Sequence, residues 1–298
     1  MQPHDVPVET VTQLPRLAPR AADSNKGDFG RVLIVAGSRG MTGAAVLCGR
    51  AALRGGAGLV RVAVPHEIVP IVAGYEPCYM TVPLAQDCAG RLDHAALAEI
   101  FEQEQTQTVL AIGPGLGQSP ALARIMPELV GKATRPLVLD ADGLNAFTGQ
   151  AGKLHTAGVP LIVTPHPGEF GRLVGLGTRA VLARRDELAV RFAREHRAIV
   201  VLKGHATIVT DGRRLYHNTT GNPGMATGGT GDVLAGLTAA LLAQGLETFA
   251  AAQLAVYLHG LSGDLAGLEV GETSLLATDL LQFLPRAFQV HARYRRPY

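Results

Sequence analysis

Short and almost continuously apolar runs are the feature that most restricts how this chain can fold. Strands covered on both faces read as continuous hydrophobic runs, whereas strands with one wet face alternate. Parallel strands also need long crossover connections, which are usually helices. The sequence therefore predicts an α/β sandwich of three layers with a mostly parallel central sheet, whose strand C-termini carry the site. The apolar runs are RVLIVAG (31–37), LVRVAVP (59–65), TVLAIG (108–113), PLVLDA (136–141), PLIVTP (160–165) and AIVVLKG (198–204).

Helical segments and one hairpin fill the sequence between and after these runs. The expected hairpin covers 206–218 and turns at Asp211-Gly212. No change of composition marks a second domain, so we expect one domain from 26 to 298, preceded by an arm or short helix at 1–25. The expected helices are 43–58, 92–105, 178–196, 232–244, 248–268 and one around 274–288.

Composition and charge narrow the class of protein. Apolar residues make up 47% of the 298 residues and charged residues 17%, which is typical of a compact globule. The formal net charge of +2 is spread along the chain, so we expect no nucleic-acid partner and no membrane association. The sequence has no leader pattern, no apolar run of about 20 residues, and no CxxC pair among Cys48, Cys78 and Cys88. These features predict a cytoplasmic protein with reduced thiols.

A glycine-rich loop with a single carboxylate is the strongest candidate for a functional site. The stretch NPGMATGGTGDVLAG (222–236) places GGTGD directly before an apolar helix. Backbone N–H groups at such a helix N-terminus bind anions, phosphate especially. Asp232 can act as a base beside a transferring phosphoryl group, or it can simply cap the helix. We favour the first interpretation, because glycines let a phosphate approach the backbone closely and a cap does not require them.

Two further loops follow predicted strands and offer groups suited to the same chemistry. VTPHPGEF (163–170) presents His166 and Glu169, and VLKGHAT (201–207) presents Lys203 with backbone amides for a nucleotide. Glu169 can position Mg²⁺ through water, or it can favour the dipole at a helix N-terminus.

Two other strand ends are less specific. In VLDADGLNA (138–146), Asp140, Asp142 and Asn145 could face the same cleft, although a turn-forming role is the favoured interpretation for Asp142. GPGLG (113–117) follows a strand but lacks GxGxxG spacing, and it can equally be a turn that needs positive φ. A conventional dehydrogenase is therefore disfavoured. The absence of GxxxxGK[ST] also excludes a P-loop enzyme.

The loops in combination resemble the ribokinase-like superfamily, in which the aspartate of a GTGD-type loop serves as the catalytic base. More specifically, the chain resembles the nucleotide-dependent NAD(P)HX dehydratases, which repair hydrated nicotinamide cofactors. TPHPGE supports this narrower resemblance, because the vitamin-kinase relatives usually carry asparagine where this chain has His166. The blocks that resemble the family, in its order, are KGDFGRVLIVAGSRGMTGAA (26–45), AALRGGAGLV (51–60), AIGPGLG (111–117), LDADGLN (139–145), TPHPGE (164–169), VLKGHAT (201–207), NPGMATGGTGDVLAG (222–236) and AVYLHGLSGD (255–264).

The resemblance implies a role for individual residues. Asp232 would be the catalytic base, and Glu169 would hold Mg²⁺ through water. The residues that would contact the hydrated cofactor are Ala44, Gly117, His166 and Asp232. Those that would contact the adenine nucleotide are Lys203, Gly204, His205, Ala206, Thr207, Gly228, Gly229, Thr230 and Gly231.

The implied function is dehydration of the S-epimer of hydrated NADH or NADPH, driven by ADP, which we favour, or by ATP, with Mg²⁺ as cofactor. Relatives form tetramers, so we expect a homo-oligomer and specifically a homotetramer. Many relatives carry a fused N-terminal epimerase, but only residues 1–25 precede the first block, so we expect the epimerase to be a separate chain. Two alternatives stay open: a kinase of a small alcohol such as a vitamin precursor, and a non-catalytic nucleotide sensor that would not need Asp232.

Overall fold

Strands and helices alternate along most of the chain in the structure, a computed structural model that describes residues 7–293. The strands are β1 (Glu9–Thr10), β2 (Arg31–Val35), β3 (Leu59–Pro65), β4 (Met80–Leu84), β5 (Val109–Ile112), β6 (Leu137–Leu139), β7 (Leu161–Val163), β8 (Ile199–Leu202), β9 (Ile208–Thr210) and β10 (Arg214–His217). The α-helices are α1 (Thr42–Arg54), α2 (Val69–Ala73), α3 (Ala96–Glu104), α4 (Pro120–Lys132), α5 (Ala141–Asn145), α6 (Pro167–Val174), α7 (Thr178–Ala183), α8 (Arg185–His196), α9 (Thr230–Ala243), α10 (Thr248–Val270) and α11 (Ala277–Arg293).

These strands form one sheet in the order β1-β10-β9-β8-β7-β6-β5-β2-β3-β4. From β8 to β4 in this order each strand is parallel to its neighbours, whereas β8, β9 and β10 are joined by antiparallel pairing. From β2 the chain runs outward to β3 and β4, and it then returns to β5 on the other side of β2. This reversal makes the C-terminal ends of the neighbouring strands β2 and β5 a topological switch point. Open α/β sheets bind ligands at such a point, outside the strand C-termini.

Alternate residues of the central strands face two separate hydrophobic cores. In β2, Val32 and Ile34 lie in one core while Leu33 and Val35 lie in the other, and all four are fully buried. The first core also contains buried residues of α1, α9, α10 and α11, and the second contains those of α3, α4, α6 and α8. The predicted three-layer sandwich is therefore confirmed, and burial on both faces explains why the strands lack an alternating pattern.

Small residues let α1 and α9 pack closely in the first core. Every residue of α9 from Val233 to Ala243 is buried. A Cβ atom added at Gly236 would overlap the backbone carbonyl oxygen of Cys48 on α1, so only glycine fits there. This close contact fixes the N-terminal end of α9, where the GGTGD sequence enters the helix.

The differences between the structure and the sequence prediction include one divided helix and one additional strand. The helix predicted at 178–196 is two helices, because Arg184 takes non-helical dihedral angles (φ −140°, ψ 38°) between α7 and α8. Strand β4 is not predicted, since its sequence MTVPL contains Pro83. Proline cannot donate to a strand ladder, but β4 tolerates it because β4 is an edge strand.

The predicted hairpin is confirmed, since β9 and β10 pair antiparallel with Leu215 opposite Thr210. Within the described part of the N-terminal arm, 7–25, there is no α-helix, and β1 pairs with β10 instead. The remaining arm residues, 1–6, lie outside the described residues. Among residues 7–293, no helix combines the length and apolarity needed to cross a membrane.

Two glycines in helices test the packing of α1 against α9. We expect Gly236→Ala to lower the free energy of unfolding by about 3 kcal/mol or more, because the new methyl group would press on a backbone carbonyl that cannot move freely. Gly131→Ala in α4 is the matched control, since a Cβ atom there meets no atom within 4 Å. The control should be neutral or gain up to about 1 kcal/mol from helix propensity. Urea denaturation of both variants checks this, and equal stabilities would contradict the packing.

Candidate active site

The loops at the C-terminal edge of the sheet meet at the switch point. The Ser38 hydroxyl donates to the carbonyl of Gly115 at 2.9 Å, and the Gly37 amide donates to the carbonyl of Pro114 at 2.8 Å. The loop that follows β2 is therefore bonded directly to the loop that follows β5. Together they form one wall of the cleft, which the loops after β6, β7 and β8 and the N-terminus of α9 continue.

The glycine-rich loop turns into α9 at Gly229, which has a φ of 93° and no side-chain cap. Thr230 is the first residue of the helix, and Asp232 is the third. No group among the described residues donates a hydrogen bond to the carboxylate of Asp232, so the capping interpretation does not hold. The amides of the first helical turn have no intrahelical acceptor and are available to an anion.

A buried ion pair lies directly beneath this loop. Lys203 Nζ donates to Asp140 Oδ1 at 2.7 Å, and the Thr164 hydroxyl donates to the same oxygen at 2.7 Å. Lys203 Nζ also lies 3.9 Å from Glu169 Oε2. A Cβ atom at Gly231 would lie 3.2 Å from Lys203 Nζ, so the lysine and the glycine loop are in contact.

The electrostatic environment sets Asp232 apart from an ordinary surface acid. Burial raises its pKa to about 7, the Asp140 carboxylate acts in the same direction, and Lys203 opposes both. Burial alone would lower the pKa of Lys203, but the carboxylates of Asp140 and Glu169 outweigh it and the pKa lies above its usual value. At neutral pH, Asp232 is therefore poised to take up or release a proton beside a charged lysine.

His166 and Glu169 form a reciprocal cap at the start of α6. His166 Nδ1 accepts from the amides of Gly168 at 3.0 Å and Glu169 at 3.3 Å, and Glu169 Oε2 accepts from the His166 amide at 2.8 Å. With Nδ1 as acceptor, the neutral ring carries its proton on Nε2. Burial lowers the pKa of His166, which favours this neutral form. The His166 side chain is 51% exposed and remains open to the cleft, whereas that of Glu169 is buried.

The residues present fit Mg²⁺ only through water or a bound phosphate. Among residues 7–293, no three acidic, histidine or cysteine side chains come together as direct metal ligands. Glu169 Oε2 is occupied by the cap, which supports the helix-terminus interpretation of this residue and leaves only Oε1 to reach a water bound to Mg²⁺. Asp140 Oδ2 and the Asp232 carboxylate, by contrast, accept no hydrogen bond from the described residues and are hard oxygen donors of the kind that hydrated Mg²⁺ prefers.

Of the two neighbouring alanines at the start of α1, only Ala44 is accessible to a ligand. Ala44 is partly exposed, whereas Ala45 is completely buried. A Cβ atom at Gly115 would lie 2.7 Å from Ala44 Cβ, so Gly115 packs against the alanine. Gly117 is partly exposed, and its amide donates to Asp142 Oδ2 at 2.8 Å. Asp142 therefore shapes the loop, in keeping with its predicted turn-forming role.

Other predicted residues take their places around the 203–207 loop and the glycine loop. The Thr207 hydroxyl donates to the carbonyl of Gly204, while His205 is exposed and Ala206 is partly exposed. Gly228 is exposed, with open space around its α-carbon. The Thr230 hydroxyl bonds within its own loop, so only its backbone is left for a nucleotide.

Asn145 does not face the cleft as a free group, because its Oδ1 accepts from Arg172 Nε at 2.9 Å. Sequence reasoning missed two residues that hold the loops. His259 Nε2 bonds the carbonyl of Thr230 at 2.9 Å, and Arg185 bonds carbonyls of the chain around 203–207. The block AVYLHGLSGD contains His259, but Arg185 lies inside a predicted helix with no local signal.

Known proteins resemble this chain in sequence and in fold. The family model described as NAD(P)H-hydrate dehydratase matches residues 32–286. A bifunctional NAD(P)H-hydrate repair enzyme of Moorella thermoacetica is 46% identical over 276 residues, which cover 92% of this chain and 51% of that protein. The Escherichia coli enzyme of the same description is 36% identical over 271 residues, covering 91% of this chain and 50% of that protein. The chain thus spans about half the length of the curated relatives it matches.

Solved structures extend the comparison. The ADP/ATP-dependent NAD(P)H-hydrate dehydratase of Bacillus subtilis, co-crystallized with ATP and Mg²⁺, matches with a TM-score of 0.79 at 31% identity, covering 92% of this chain and 94% of that one. A hydroxyethylthiazole kinase of Pyrococcus horikoshii matches in fold alone, with a TM-score of 0.58 at 19% identity, covering 88% of this chain and 89% of that one.

The sandwich, its switch-point cleft and the glycine loop before α9 define a ribokinase-like protein. Within that class, the family model covers most of the chain, and the Bacillus subtilis structure matches along nearly its whole length. The chain belongs to the NAD(P)H-hydrate dehydratase family.

The raised pKa of Asp232 predicts a pH-dependent gain in stability when the charge is removed. The folded-state pKa of about 7 lies above the unfolded value of about 4, so ionisation of Asp232 destabilises the fold as pH rises through this window. Asp232→Asn should therefore be more stable than the wild type at pH 8, by on the order of 2 to 4 kcal/mol. The gain should shrink steadily as the pH falls from 7 to 5.

Asp279→Asn is the matched control, because Asp279 is also the third residue of its helix, α11. Its carboxylate accepts a hydrogen bond from the Leu276 amide at 2.8 Å, so the change should bring no gain at pH 8. Thermal denaturation of both variants between pH 5 and pH 8 makes the measurement. A loss of stability in Asp232→Asn at pH 8 would restore the capping role.

Proposed function

We propose that this protein dehydrates the S-epimer of hydrated NADH or NADPH to NADH or NADPH, consuming ADP or ATP. The observation that carries the proposal is the position of Asp232 in the first helical turn after a glycine loop, where none of residues 7–293 donates a hydrogen bond to its carboxylate and its pKa is raised to about 7. Family membership supports the substrate class, and the ATP and Mg²⁺ in the crystals of the Bacillus subtilis relative support a nucleotide co-substrate.

The chemistry requires a phosphorylated intermediate. Hydration of the nicotinamide ring leaves a hydroxyl group, which is a poor leaving group at neutral pH. Transfer of a phosphoryl group from ADP or ATP to this oxygen gives a phosphate ester and leaves AMP or ADP. The C–O bond then breaks as the ring nitrogen supplies electrons, and phosphate departs with the bonding pair. The adjacent ring carbon then loses a proton to solvent, and the electrons of that C–H bond re-form the double bond. The net products are NADH or NADPH, phosphate and the shortened nucleotide.

Asp232 has the role of general base in this scheme. Its carboxylate takes the proton of the substrate hydroxyl as that oxygen attacks phosphorus, and a pKa of about 7 is matched to this task at neutral pH. The amides of Gly228, Gly229, Thr230 and Gly231 face the transferring phosphoryl group and stabilise its charge. Mg²⁺, when bound with the nucleotide, supplies further charge neutralisation on the phosphate oxygens, and Asp140 or Glu169 would hold it through water.

The two substrates occupy different walls of the cleft in this proposal. Ala44, Gly117 and His166 contact the hydrated cofactor, and this role is supported by the partial exposure of Ala44 and Gly117 and the exposure of His166. Lys203 and the 203–207 loop contact the adenine nucleotide, for which ADP is our preferred choice. Lys203 Nζ, held by Asp140, lies where it can also reach a phosphate oxygen near Gly231.

The proposal extends to the surroundings of the enzyme. We propose a catalytic domain over 26–298, a homotetramer in the cytoplasm, and cooperation with an epimerase activity that supplies the S-epimer. The three free cysteines are compatible with a reducing compartment.

A ribokinase-like kinase of a small alcohol is the second candidate, since hydroxyethylthiazole kinase shares the fold and a base beside a phosphate-binding loop would also serve a kinase. The products separate the two candidates. A kinase leaves a stable phosphate ester, whereas the dehydratase restores the near-ultraviolet absorbance of NADH and releases inorganic phosphate. A non-catalytic sensor would bind nucleotide and form neither product.

We expect purified protein with hydrated NADH, Mg²⁺ and ADP to regenerate NADH, and Asp232→Asn to lose about 10²- to 10⁴-fold in turnover. The loss should occur with nucleotide affinity nearly unchanged, because Asn is almost isosteric. The kcat/KM of the wild type for hydrated NADH should rise as the pH increases through about 7, because Asp232 then loses its proton. Absorbance and phosphate release are followed in parallel, and normal turnover in Asp232→Asn would refute the base assignment.

His166 is expected to select the hydrated cofactor. His166→Asn keeps a good N-cap for α6 and introduces the residue usual in kinase relatives, so the variant should fold normally. We expect its KM for hydrated NADH to rise about tenfold, as for loss of one hydrogen bond, while its KM for ADP stays the same. His166→Ala should show the same rise with lower stability, because the cap is lost. His155→Asn, at the opposite edge of the sheet, is the control, and an unchanged KM in both His166 variants would exclude this contact.

A further inference from the structure

A side chain of helix α8 forms hydrogen bonds to the backbone of the 203–207 loop and its flanking residue. Arg185, the first residue of α8, donates from Nη1 to the carbonyl of His205 at 2.7 Å. Its Nη2 lies 3.3 Å from the carbonyls of Leu202 and Ala206 and donates to both. The guanidinium group therefore gathers three carbonyl oxygens of one short stretch of backbone.

This gathering fixes the direction of the backbone amides. In a trans peptide the C=O of one residue and the N–H of the next point in opposite directions. Since the carbonyls of His205 and Ala206 point toward Arg185, the N–H groups of Ala206 and Thr207 point away from it. No acceptor among the described residues is bonded to the N–H groups of Gly204, His205 or Ala206.

The loop adopts a conformation that an unsupported chain would avoid. Gly204 has a φ of 136° and Ala206 a φ of 49°, and the second value is costly for a residue with a Cβ atom. Hydrogen bonds from a charged donor to the carbonyls on both sides of Ala206 offset this cost. Residues with positive φ next to ordinary ones create concave sets of N–H groups that bind anions.

We propose that Arg185 is a positioning residue, which turns the amides of the 203–207 loop toward the phosphates of a nucleoside diphosphate. The inference rests on the proposed function, because it concerns the nucleotide side of that site. Lysine cannot replace this arginine fully, since a single ammonium group lacks the planar fork that bonds several carbonyls at fixed angles. Because the chain breaks at Arg184 between α7 and α8, helix α8 begins at Arg185, whose side chain reaches the 203–207 loop.

The test compares ADP binding and stability in four forms of the full chain: wild type, Arg185→Met, Arg185→Lys and Arg184→Met. Arg184 is the matched control, because its guanidinium pairs with Glu187 at the surface of the same helix. Calorimetric titration with ADP and Mg²⁺ gives the affinity, thermal denaturation of the nucleotide-free protein gives the stability, and steady-state kinetics gives the KM of each substrate.

We expect Arg185→Met to weaken ADP binding about 10- to 100-fold, with Arg185→Lys in between, as for loss of hydrogen bonds from a charged donor. The KM for hydrated NADH should stay within about twofold of the wild type, the ordinary scatter of distant substitutions. Arg184→Met should match the wild type in both. If Arg185→Met does not fold, Arg185→Lys decides by the same measurements.

Unchanged ADP affinity in the Arg185 variants, with or without lower stability, would overturn the inference and leave the proposed function standing. Equal rises in the KM of both substrates would also overturn it, because the loop would then support the whole cleft. A wild-type protein that binds neither ADP nor ATP would instead refute the proposed function and this inference with it, whereas binding of ATP alone would overturn only the assignment to a nucleoside diphosphate.

Discussion

The ion pair between Lys203 and Asp140 joins the ends of β8 and β6, and Thr164 after β7 donates to the same carboxylate oxygen. Three consecutive strand ends are thereby tied at the edge of the sheet where the cleft lies. A buried ion pair is costly to form, and removing one partner leaves the other charge uncompensated, at a cost of about 3–5 kcal/mol. The glycine loop rests on this pair, since Lys203 Nζ lies against Gly231. The shape of the site therefore depends on the charge balance below it.

Close packing of small residues supplies the second constraint. Gly236 brings α9 against α1, and His259 on α10 holds the carbonyl of Thr230. Burial lowers the pKa of His259 to about 4, so its ring is neutral and donates steadily to that carbonyl. With the start of α9 fixed in this way, Asp232 does not need to cap the helix. Its carboxylate is left half-buried, where its ionisation lowers the free energy of unfolding and its raised pKa suits it to act as a base.

The sequence predicted the central strands, the hairpin and the glycine loop because each has a strong local signal. Burial on both faces leaves continuous apolar runs, and the turn at Asp211-Gly212 has its own chemistry. Strand β4 was missed because Pro83 is tolerated only at a sheet edge, and an edge is a property of the whole fold. The break at Arg184 was missed for a similar reason. Arg185 bonds carbonyls 17 to 21 residues away, and no pattern within a helix reports such contacts.

Loop by loop, the candidate site was more predictable in position than in geometry. Parallel strand ends must meet at one edge, so His166, Lys203 and Asp232 were expected together. The spacing of these residues in the sequence could not reveal the electrostatic field that their charges create in the site. Asp140, Glu169 and Asp232 surround Lys203, and burial together with the neighbouring carboxylates disfavours ionisation of Asp232. A nucleotide phosphate adds negative charge, whereas an accompanying cation removes it. The strength of Asp232 as a base is therefore set by the ions that share the cleft with it, and not by the loop sequence alone.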